Sequence, residues 1–227
     1  MTEKNLKTLV QSSELPMPGL SPEEQRAGVV LLRELAKGEP VPVPRFANAL
    51  DVPVSVAEAL VKQSELRRLI YAGEDGRVVG FWGLSTARTQ HRFTINGRTL
   101  WAWCAGDTLF LPEVLDETAA VESRDPEGGE LIRLTISPAR IEAVELKDIT
   151  VSFLRPDTVD FTSVTQVWAT ACHHIFFFAS RASGDRWVAK HSGKVLLSLD
   201  EAFALSRRLN AQVFGAELAR LNAGGRQ

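Results

Sequence analysis

The sequence predicts an α+β protein, with an N-terminal three-helix, winged-helix-like domain followed by a core of antiparallel strands flanked by helices. Apolar residues recur at helical spacing within residues 22–37, as in an amphipathic helix. From about residue 88 the chain changes to short β-type runs separated by turn residues, and a second helical pattern fills residues 199–223. The predicted division is a flexible N-terminal tail (1–20), the winged-helix-like domain (21–87) and an α+β domain (88–227).

The first helix has a clear beginning and end. Ser21 can cap it, Pro22 suits its first position, and the acidic Glu23 and Glu24 favour its positive end. Gly38, followed by a proline, is typical of a helix end.

The segment after this helix predicts a winged-helix arrangement. Residues 43–65 favour two short helices joined around a proline turn, and residues 69–85 favour a strand pair that turns at Glu74, Asp75 and Gly76. DNA-binding versions of this fold place basic side chains on the second helix of the turn, whereas here they concentrate only near the end of that segment. We therefore expect a packing module rather than a DNA reader.

The second domain predicts antiparallel strands in four runs and helices between and after them. The runs are 91–103 with an Asn96–Gly97 turn, 129–138, 141–154 and 171–180. One helix is predicted to begin near Cys104. A long helix follows Ser198, which with Glu201 fits a capping box, and Gly224 fits its end.

The overall composition excludes several classes of protein. With 44% apolar and 24% charged residues the chain is globular, and a net charge of -2 provides no overall positive field for nucleic acid. The N-terminus lacks a signal-peptide pattern, and no segment approaches the roughly 18 uncharged apolar residues that would span a bilayer. We expect a cytoplasmic protein without nucleic-acid or membrane partners, whose two cysteines are free thiols.

Cys104 and Asp107 form the first candidate site. In a helix that begins at Cys104, the helix dipole favours the thiolate, and Asp107 lies three residues later on the same face. The carboxylate could then accept the proton of the thiol. The same spacing also fits a buried structural cysteine and a capping aspartate, so the residues alone leave both interpretations open.

Cys172 is the second candidate, and it is followed directly by His173 and His174. In a strand, Cys172 and His174 would point to one face and His173 to the other. Zinc would need four ligands at a recognisable spacing, which is absent, and the surroundings of a known Cys-His nucleophile are absent as well. A redox pair stays open. If both thiols and Asp107 converge, they form a site for a soft metal with a proton to deliver.

Several segments resemble the bacterial organomercurial lyases (alkylmercury lyases) over residues 25 to 215. They are, in order, "LLRELAKGEPV", "WAWCAGDTLFLP", "LTISPARIEAVE", "ACHHIFFFAS", "RWVAKHSG" and "LDEAFALSRRLN". By this resemblance Cys104 and Cys172 are the two catalytic cysteines that bind mercury, and Asp107 is the catalytic acid beside the metal. The resemblance implies a winged-helix-like domain before a catalytic domain, and protonolysis of the carbon-mercury bond to a hydrocarbon and Hg(II).

The resemblance also implies what the enzyme needs. It implies no organic cofactor but a requirement for excess free thiol, so that organomercury compounds and low-molecular-weight thiols are the expected partners and mercuric reductase is a candidate recipient of Hg(II). Some relatives carry a further cysteine where this chain has His173, and another in the segment "AAVESRDPEGGE". Product handover could therefore differ, and the roles of His173 and His174 are open.

A proton donor is central to this chemistry. Burial of Asp107 among Trp101, Trp103, Leu109 and Phe110 would raise its pKa, as a general acid at neutral pH requires. The alternative function is a non-catalytic soft-metal binder or metal-responsive regulator, and a thiol oxidoreductase is a third hypothesis.

Overall fold

The computed structural model describes Thr8 and residues 17–224. Apart from Thr8, the first sixteen residues of the predicted tail lie outside the described part. Directly before the first helix, Leu20 is buried in the core and Met17 packs against it. No helix in the described part is long and apolar enough to cross a bilayer.

Three helices open the described fold, as the sequence predicts. The helices are α1 (Pro22–Leu35), α2 (Val43–Leu50) and α3 (Val54–Lys62), and a 3-10 turn (Glu65–Leu69) follows. The capping box of α1 is present, with the Ser21 N–H donating to the Glu24 carboxylate at 2.9 Å and the Glu24 N–H donating to the Ser21 hydroxyl at 3.2 Å. Gly38 lies beyond the end of α1 with a positive φ of 93°, a conformation that glycine adopts without strain.

An eight-stranded antiparallel sheet follows. Its strands are β1 (Ile70–Ala72), β2 (Val78–Phe81), β3 (Leu84–Ser85), β4 (His91–Ile95), β5 (Arg98–Ala102), β6 (Ala119–Arg124), β7 (Leu131–Ile136) and β8 (Ile141–Val144), in the order β1-β2-β3-β5-β4-β6-β7-β8. This sheet contains strands from both sides of residue 87, the predicted domain boundary, since Leu84 of β3 pairs with Ala102 of β5. The domain boundary at that residue stays a prediction.

Two hairpins of this sheet turn through pairs of residues with positive φ. Asn96 and Gly97 join β4 to β5 with φ of 48° and 74°, as the Asn-Gly signal predicts. Trp82 and Gly83 join β2 to β3 in the same way, with φ of 45° and 83°. Because this second turn uses a bulky residue at positive φ, its sequence is a weak turn signal.

A smaller antiparallel sheet carries the rest of the core. Its strands are β9 (Thr150–Leu154), β10 (Phe177–Phe178) and β11 (Lys194–Ser198), in the order β10-β9-β11. Strand β9 is buried along its whole length. Helices α4 (Ala105–Leu115), α5 (Val164–Thr170), α6 (Arg181–Lys190) and α7 (Leu199–Gly224) flank the two sheets.

Helix α4 is enclosed on nearly every side. Helix α7 packs across it, bends at Phe214 (φ -119°), and holds it through Asn210, whose side-chain amide donates to the Phe110 carbonyl at 2.9 Å. The capping box predicted at the start of α7 is present, since the Ser198 N–H donates to the Glu201 carboxylate at 2.8 Å.

The structure corrects one predicted strand. Residues 171–180 were expected to form a strand throughout, but Cys172–His174 form a 3-10 turn and only Phe177–Phe178 are extended in a sheet. The hydroxyl of Ser152 donates to the His174 carbonyl at 2.8 Å and accepts the Phe176 N–H at 3.0 Å. The Ser152 side chain on β9 therefore bonds backbone groups that a neighbouring strand would otherwise bond. The predicted strand alternation, with Cys172 and His174 on one face, is wrong.

Candidate functional site

Cys104 begins helix α4 as its N-cap residue. Its backbone is extended, with φ of -146° and ψ of 174°, and the helix starts at Ala105. The cap is reciprocal, because the Asp107 N–H donates to the Cys104 sulfur while the Cys104 N–H donates to the Asp107 carboxylate at 2.7 Å. Serine and threonine are the usual residues at the first position of this motif. A sulfur in their place puts a thiol among the N–H groups of a helix N-terminus, which favour a thiolate, although burial outweighs them for Cys104.

Cys172 reaches the same place from the 3-10 turn. The sulfurs of Cys104 and Cys172 and a carboxylate oxygen of Asp107 all lie within 4.8 Å of one another. A backbone hydrogen bond from the Ala105 N–H to the Ile175 carbonyl (3.2 Å) ties the two segments together. The three side chains that the sequence analysis singled out are thus brought together, and all three residues are buried.

The carboxyl group of Asp107 has an unusual acidity. Burial raises its pKa from an ordinary 3.8 to about 7, although hydrogen bonds from the thiol and the N–H of Cys104 oppose the shift. Since a general acid works best with a pKa near the working pH, this value suits proton exchange at neutral pH.

The two thiols also have altered acidity. Burial raises the pKa of Cys104 well above its ordinary value, and the hydrogen bond with Cys172 and the negative charge of Asp107 raise it further. The hydrogen bond with Cys104 lowers the pKa of Cys172, but burial and the charge of Asp107 outweigh it, so this pKa is raised as well. Both sulfurs are therefore protonated before a ligand arrives, and a thiolate requires a base at hand.

The three groups line a cavity of about 100 Å³. The other lining side chains are almost all apolar and come from separate parts of the fold: Met17, Leu69, Trp82, Trp103, Phe110, Phe153, Leu154, Val159, Phe161, Val167, Ala171, Ile175, Leu205 and Leu209. Of the four residues predicted to surround Asp107, Trp103 and Phe110 line this cavity, whereas Trp101 and Leu109 do not. No lysine, arginine or histidine is among the lining residues, so the cavity favours an uncharged, apolar group.

Gly83 is a site residue that sequence reasoning missed. It lies in the β2-β3 turn, and a Cβ atom built on it would lie 2.5 Å from the Asp107 Cγ atom and 2.7 Å from Oδ1. The Gly83 carbonyl accepts the Trp103 N–H at 2.8 Å, which fixes the turn beside the site. The available signal was the Trp-Gly pair after a strand.

His173 and His174 do not join the cluster. Among the described residues, the group able to hold a metal ion contains Cys104, Asp107 and Cys172 only. His173 is exposed and lines a separate groove. The zinc interpretation thus finds no support at this site.

Comparison with known proteins identifies the family of this chain. A sequence profile described as alkylmercury lyase matches residues 84–211, which is more than half of the chain. The alkylmercury lyase of Staphylococcus epidermidis is 35% identical over 182 residues, covering 80% of both chains. The Bacillus cereus enzyme is also 35% identical over 182 residues, covering 80% of this chain and 79% of its own. The chain belongs to the alkylmercury lyase family.

This membership confirms the family and the enzyme class that the sequence predicts. The alkylmercury lyase of Streptomyces lividans is a further relative, 34% identical over 180 residues and 79% of each chain. The crystal structure of the mercury-bound form of MerB2 superposes with a TM-score of 0.70, covering 92% of this chain and 98% of that one at 22% identity. The likeness confirms the α+β fold, while the roles of individual residues in this alkylmercury lyase homologue stay predictions.

Proposed function

We propose that this family member cleaves the carbon-mercury bond of organomercury compounds by protonolysis, with two cysteine sulfurs holding the mercury and an aspartate moving the proton. The observation that carries this proposal is the cluster of Cys104, Asp107 and Cys172 in a buried apolar cavity. Thiolates are soft donors that select soft metals. An acid within reach of the same metal supplies the proton that the carbon needs.

The first step exchanges a thiol ligand. The substrate enters as R-Hg bound to the sulfur of a small thiol, and the Asp107 carboxylate accepts the proton of Cys104. The Cys104 sulfur forms a bond to mercury as the bond to the incoming thiolate breaks. The short distances within the cluster support direct transfer, because no solvent has to enter between the thiol and the carboxylate.

The second step adds the other sulfur. Cys172 binds the same mercury, and its proton leaves with the departing thiolate as a neutral thiol. Two sulfurs then donate electron density to the metal, which makes the bound carbon more basic. The short distance between the two sulfurs, within 4.8 Å, supports this step, since it places Cys172 beside the sulfur that binds first.

The third step breaks the carbon-mercury bond. Protonated Asp107 donates its proton to the carbon, the hydrocarbon R-H leaves, and Hg(II) stays on two sulfurs. The pKa of about 7 supports a carboxyl group that can both accept and return a proton near neutral pH. The apolar lining suits the organic group R and excludes water from the proton path.

Release of Hg(II) then uses free thiol rather than an organic cofactor. Two thiols replace the two cysteine sulfurs on mercury by ligand exchange, and each gives its proton to the sulfur it displaces. Mercuric reductase is a candidate recipient of the released ion. This scheme requires a compartment rich in reduced thiols, as the predicted cytoplasmic location would provide.

Headspace gas chromatography tests the proposal. The wild-type protein with phenylmercury or methylmercury and excess thiol should release benzene or methane, and Cys104→Ser and Cys172→Ser should release none. Asp107→Asn should still bind mercury but lose cleavage by at least about 100-fold. Asp125→Asn is a matched control, because Asp125 is a buried carboxylate outside the cavity and this variant should retain cleavage.

Two results would contradict the proposal. Turnover in Cys172→Ser would remove the second sulfur from the mechanism. Tight mercury binding without hydrocarbon from the wild type would indicate the alternative function, a non-catalytic mercury-binding protein.

A further inference from the structure

We propose that a second groove, separate from the substrate cavity, admits small thiols that carry a carboxylate, and that Arg88 binds that carboxylate while the thiol removes Hg(II) from Cys172. This inference rests on the proposed function. The groove has a volume of about 420 Å³ and shares only Trp103 and Cys172 with the substrate cavity. Cys172 therefore lies between the cavity and the groove.

The charge of the groove favours an anion. Its lining consists of Tyr71, Ser85, Ala87, Arg88, Thr89, Gln90, Trp103, Trp168, Cys172 and His173, and it contains no aspartate or glutamate. Arg88 is exposed and forms no ion pair with any residue that the structure describes. An unpaired guanidinium on such a wall is available to a carboxylate, which it can hold through two parallel hydrogen bonds.

The position of Arg88 is fixed by an aromatic ring. Its guanidinium carbon lies 5.5 Å from the centre of the Trp101 ring, at the distance of a cation-π contact. Trp101, which was predicted to lie around Asp107, therefore supports the cation beside the groove instead. An arginine held against a ring loses less side-chain freedom when it binds a ligand.

Two tryptophan rings form part of the groove wall. Trp103 and Trp168 both line the groove, and neither indole N–H has a hydrogen-bond acceptor among the described residues. Trp103 is 8% exposed, and Trp168 packs edge-on against it with ring centres 5.5 Å apart. Because both indole nitrogens are themselves buried, the two rings present aromatic surface to the groove, and Arg88 supplies its charged donor.

The substrate cavity and the groove differ in polarity. The substrate cavity has an apolar lining without cations and suits the organic group on mercury, whereas the groove presents an arginine and suits a charged thiol. In the exchange, the thiol sulfur bonds to mercury, the bond from mercury to Cys172 breaks, and the thiol proton moves to the Cys172 sulfur. A second thiol releases Cys104 in the same way, and no electron is transferred.

Thiol-dependent release of Hg(II) tests this proposal. Protein loaded with one equivalent of mercuric chloride is mixed with glutathione, which carries a net negative charge, or with uncharged 2-mercaptoethanol. In Arg88→Gln the release rate with glutathione should fall about threefold to tenfold, while the rate with 2-mercaptoethanol stays unchanged. Arg88→Lys keeps the charge but not the two parallel hydrogen bonds, so it should restore only part of the rate, and added salt should slow wild-type release to glutathione only.

Arg98→Gln is the matched control, because Arg98 is also exposed and lies on β5 but outside the groove. Equal losses with both thiols, or no loss with glutathione in Arg88→Gln, would overturn the proposal. Mercuric chloride loading needs no cleavage, so this result is independent of the hydrocarbon assay. Failure of the wild type to release hydrocarbon would instead count against the proposed function.

Discussion

Asp107 accepts the backbone N–H of Cys104 at 2.7 Å, and its own backbone N–H donates to the Cys104 sulfur. One reciprocal cap therefore fixes both the geometry of the helix start and the distance between the thiol and the carboxyl group. The rotamers of both side chains are set by backbone hydrogen bonds before any ligand arrives. Such preorganisation lowers the cost of aligning a proton donor with its acceptor.

The pH dependence of turnover should report the acidity of Asp107. In the free enzyme this carboxyl group must be ionised to accept the Cys104 proton, and its pKa is raised to about 7. We expect kcat/KM to decrease about tenfold per pH unit below this value and to level off above it. Steady-state assays between about pH 5.5 and 8.5 measure this decrease in kcat/KM at acidic pH. A flat profile across this range would argue against Asp107 as the base.

Asp107→Asn should make the folded protein more stable at alkaline pH. The pKa of Asp107 in the folded protein, about 7, lies above the ordinary 3.8, so ionisation of this carboxyl group destabilises the fold. This destabilisation is absent below pH 3.8, grows as the pH rises from 3.8 to 7, and is complete above pH 7. The amide keeps an oxygen to accept the Cys104 N–H. We expect the variant to gain about 2 to 4 kcal/mol in unfolding free energy at about pH 8 and little at about pH 4.

Asp125→Asn should show the opposite sign in the same denaturant titrations. Burial raises the pKa of Asp125, but hydrogen bonds from the backbone N–H groups of Ala179, Glu127 and Gly128 outweigh it and leave the pKa lowered. Its ionised form therefore stabilises the fold at neutral pH, and its replacement should decrease the free energy of unfolding. A stability loss in Asp107→Asn at alkaline pH would contradict the burial argument.

Gly83→Ala should impair catalysis by displacing the carboxyl group of Asp107. The new Cβ would lie 2.5 Å from the Asp107 Cγ atom, far inside contact distance. Since a displacement of about 1 Å can cost 100-fold in rate, we expect a decrease in kcat/KM of about that size. Steady-state assays with phenylmercury measure it.

Gly97→Ala provides the matched control. Gly97 has nearly the same φ, 74° against 83°, but a Cβ there would meet no atom within 4 Å. Both variants should lose about 1 kcal/mol of stability through backbone strain, while only Gly83→Ala loses activity. Equal activity in the two variants would show that the close approach of residue 83 to Asp107 does not affect catalysis.

Mild oxidation should join Cys104 to Cys172. Their sulfurs lie within 4.8 Å of each other, so a small movement brings them to bonding distance. We expect treatment with a peroxide or disulfide oxidant to abolish mercury binding and turnover, and added thiol to restore both. Mass spectrometry of the intact chain detects the disulfide as the loss of two hydrogen atoms. Oxidised protein that retains turnover would show that the two thiols need not be free together.

Local signals predicted much of the fold. Ser21 and Glu24 marked the start of α1, Asn96–Gly97 marked a hairpin, and the helix start at Cys104 followed from the change of pattern after β5. Each of these features depends on residues within a few positions of one another. Strands β6 and β11 and helices α5 and α6 were missed, because short segments carry weak periodicity.

Features set by distant contacts could not be predicted. The turn at Cys172 depends on the Ser152 hydroxyl, which bonds backbone groups 22 and 24 residues away. The packing of Gly83 on Asp107 likewise joins two separate segments. The resemblance indicated which side chains should meet, but their distances and the lining of the cavity are properties of the folded chain alone.

The small number of cysteines matters for an enzyme whose expected product poisons thiol proteins. The chain contains two cysteines, and both lie in the substrate cavity. An ion that leaves the cavity therefore finds no other thiol on the same molecule to which it could bind. Resistance to self-poisoning would follow from the absence of surface thiols, at the expense of depending on outside thiols to clear the cavity for the next substrate.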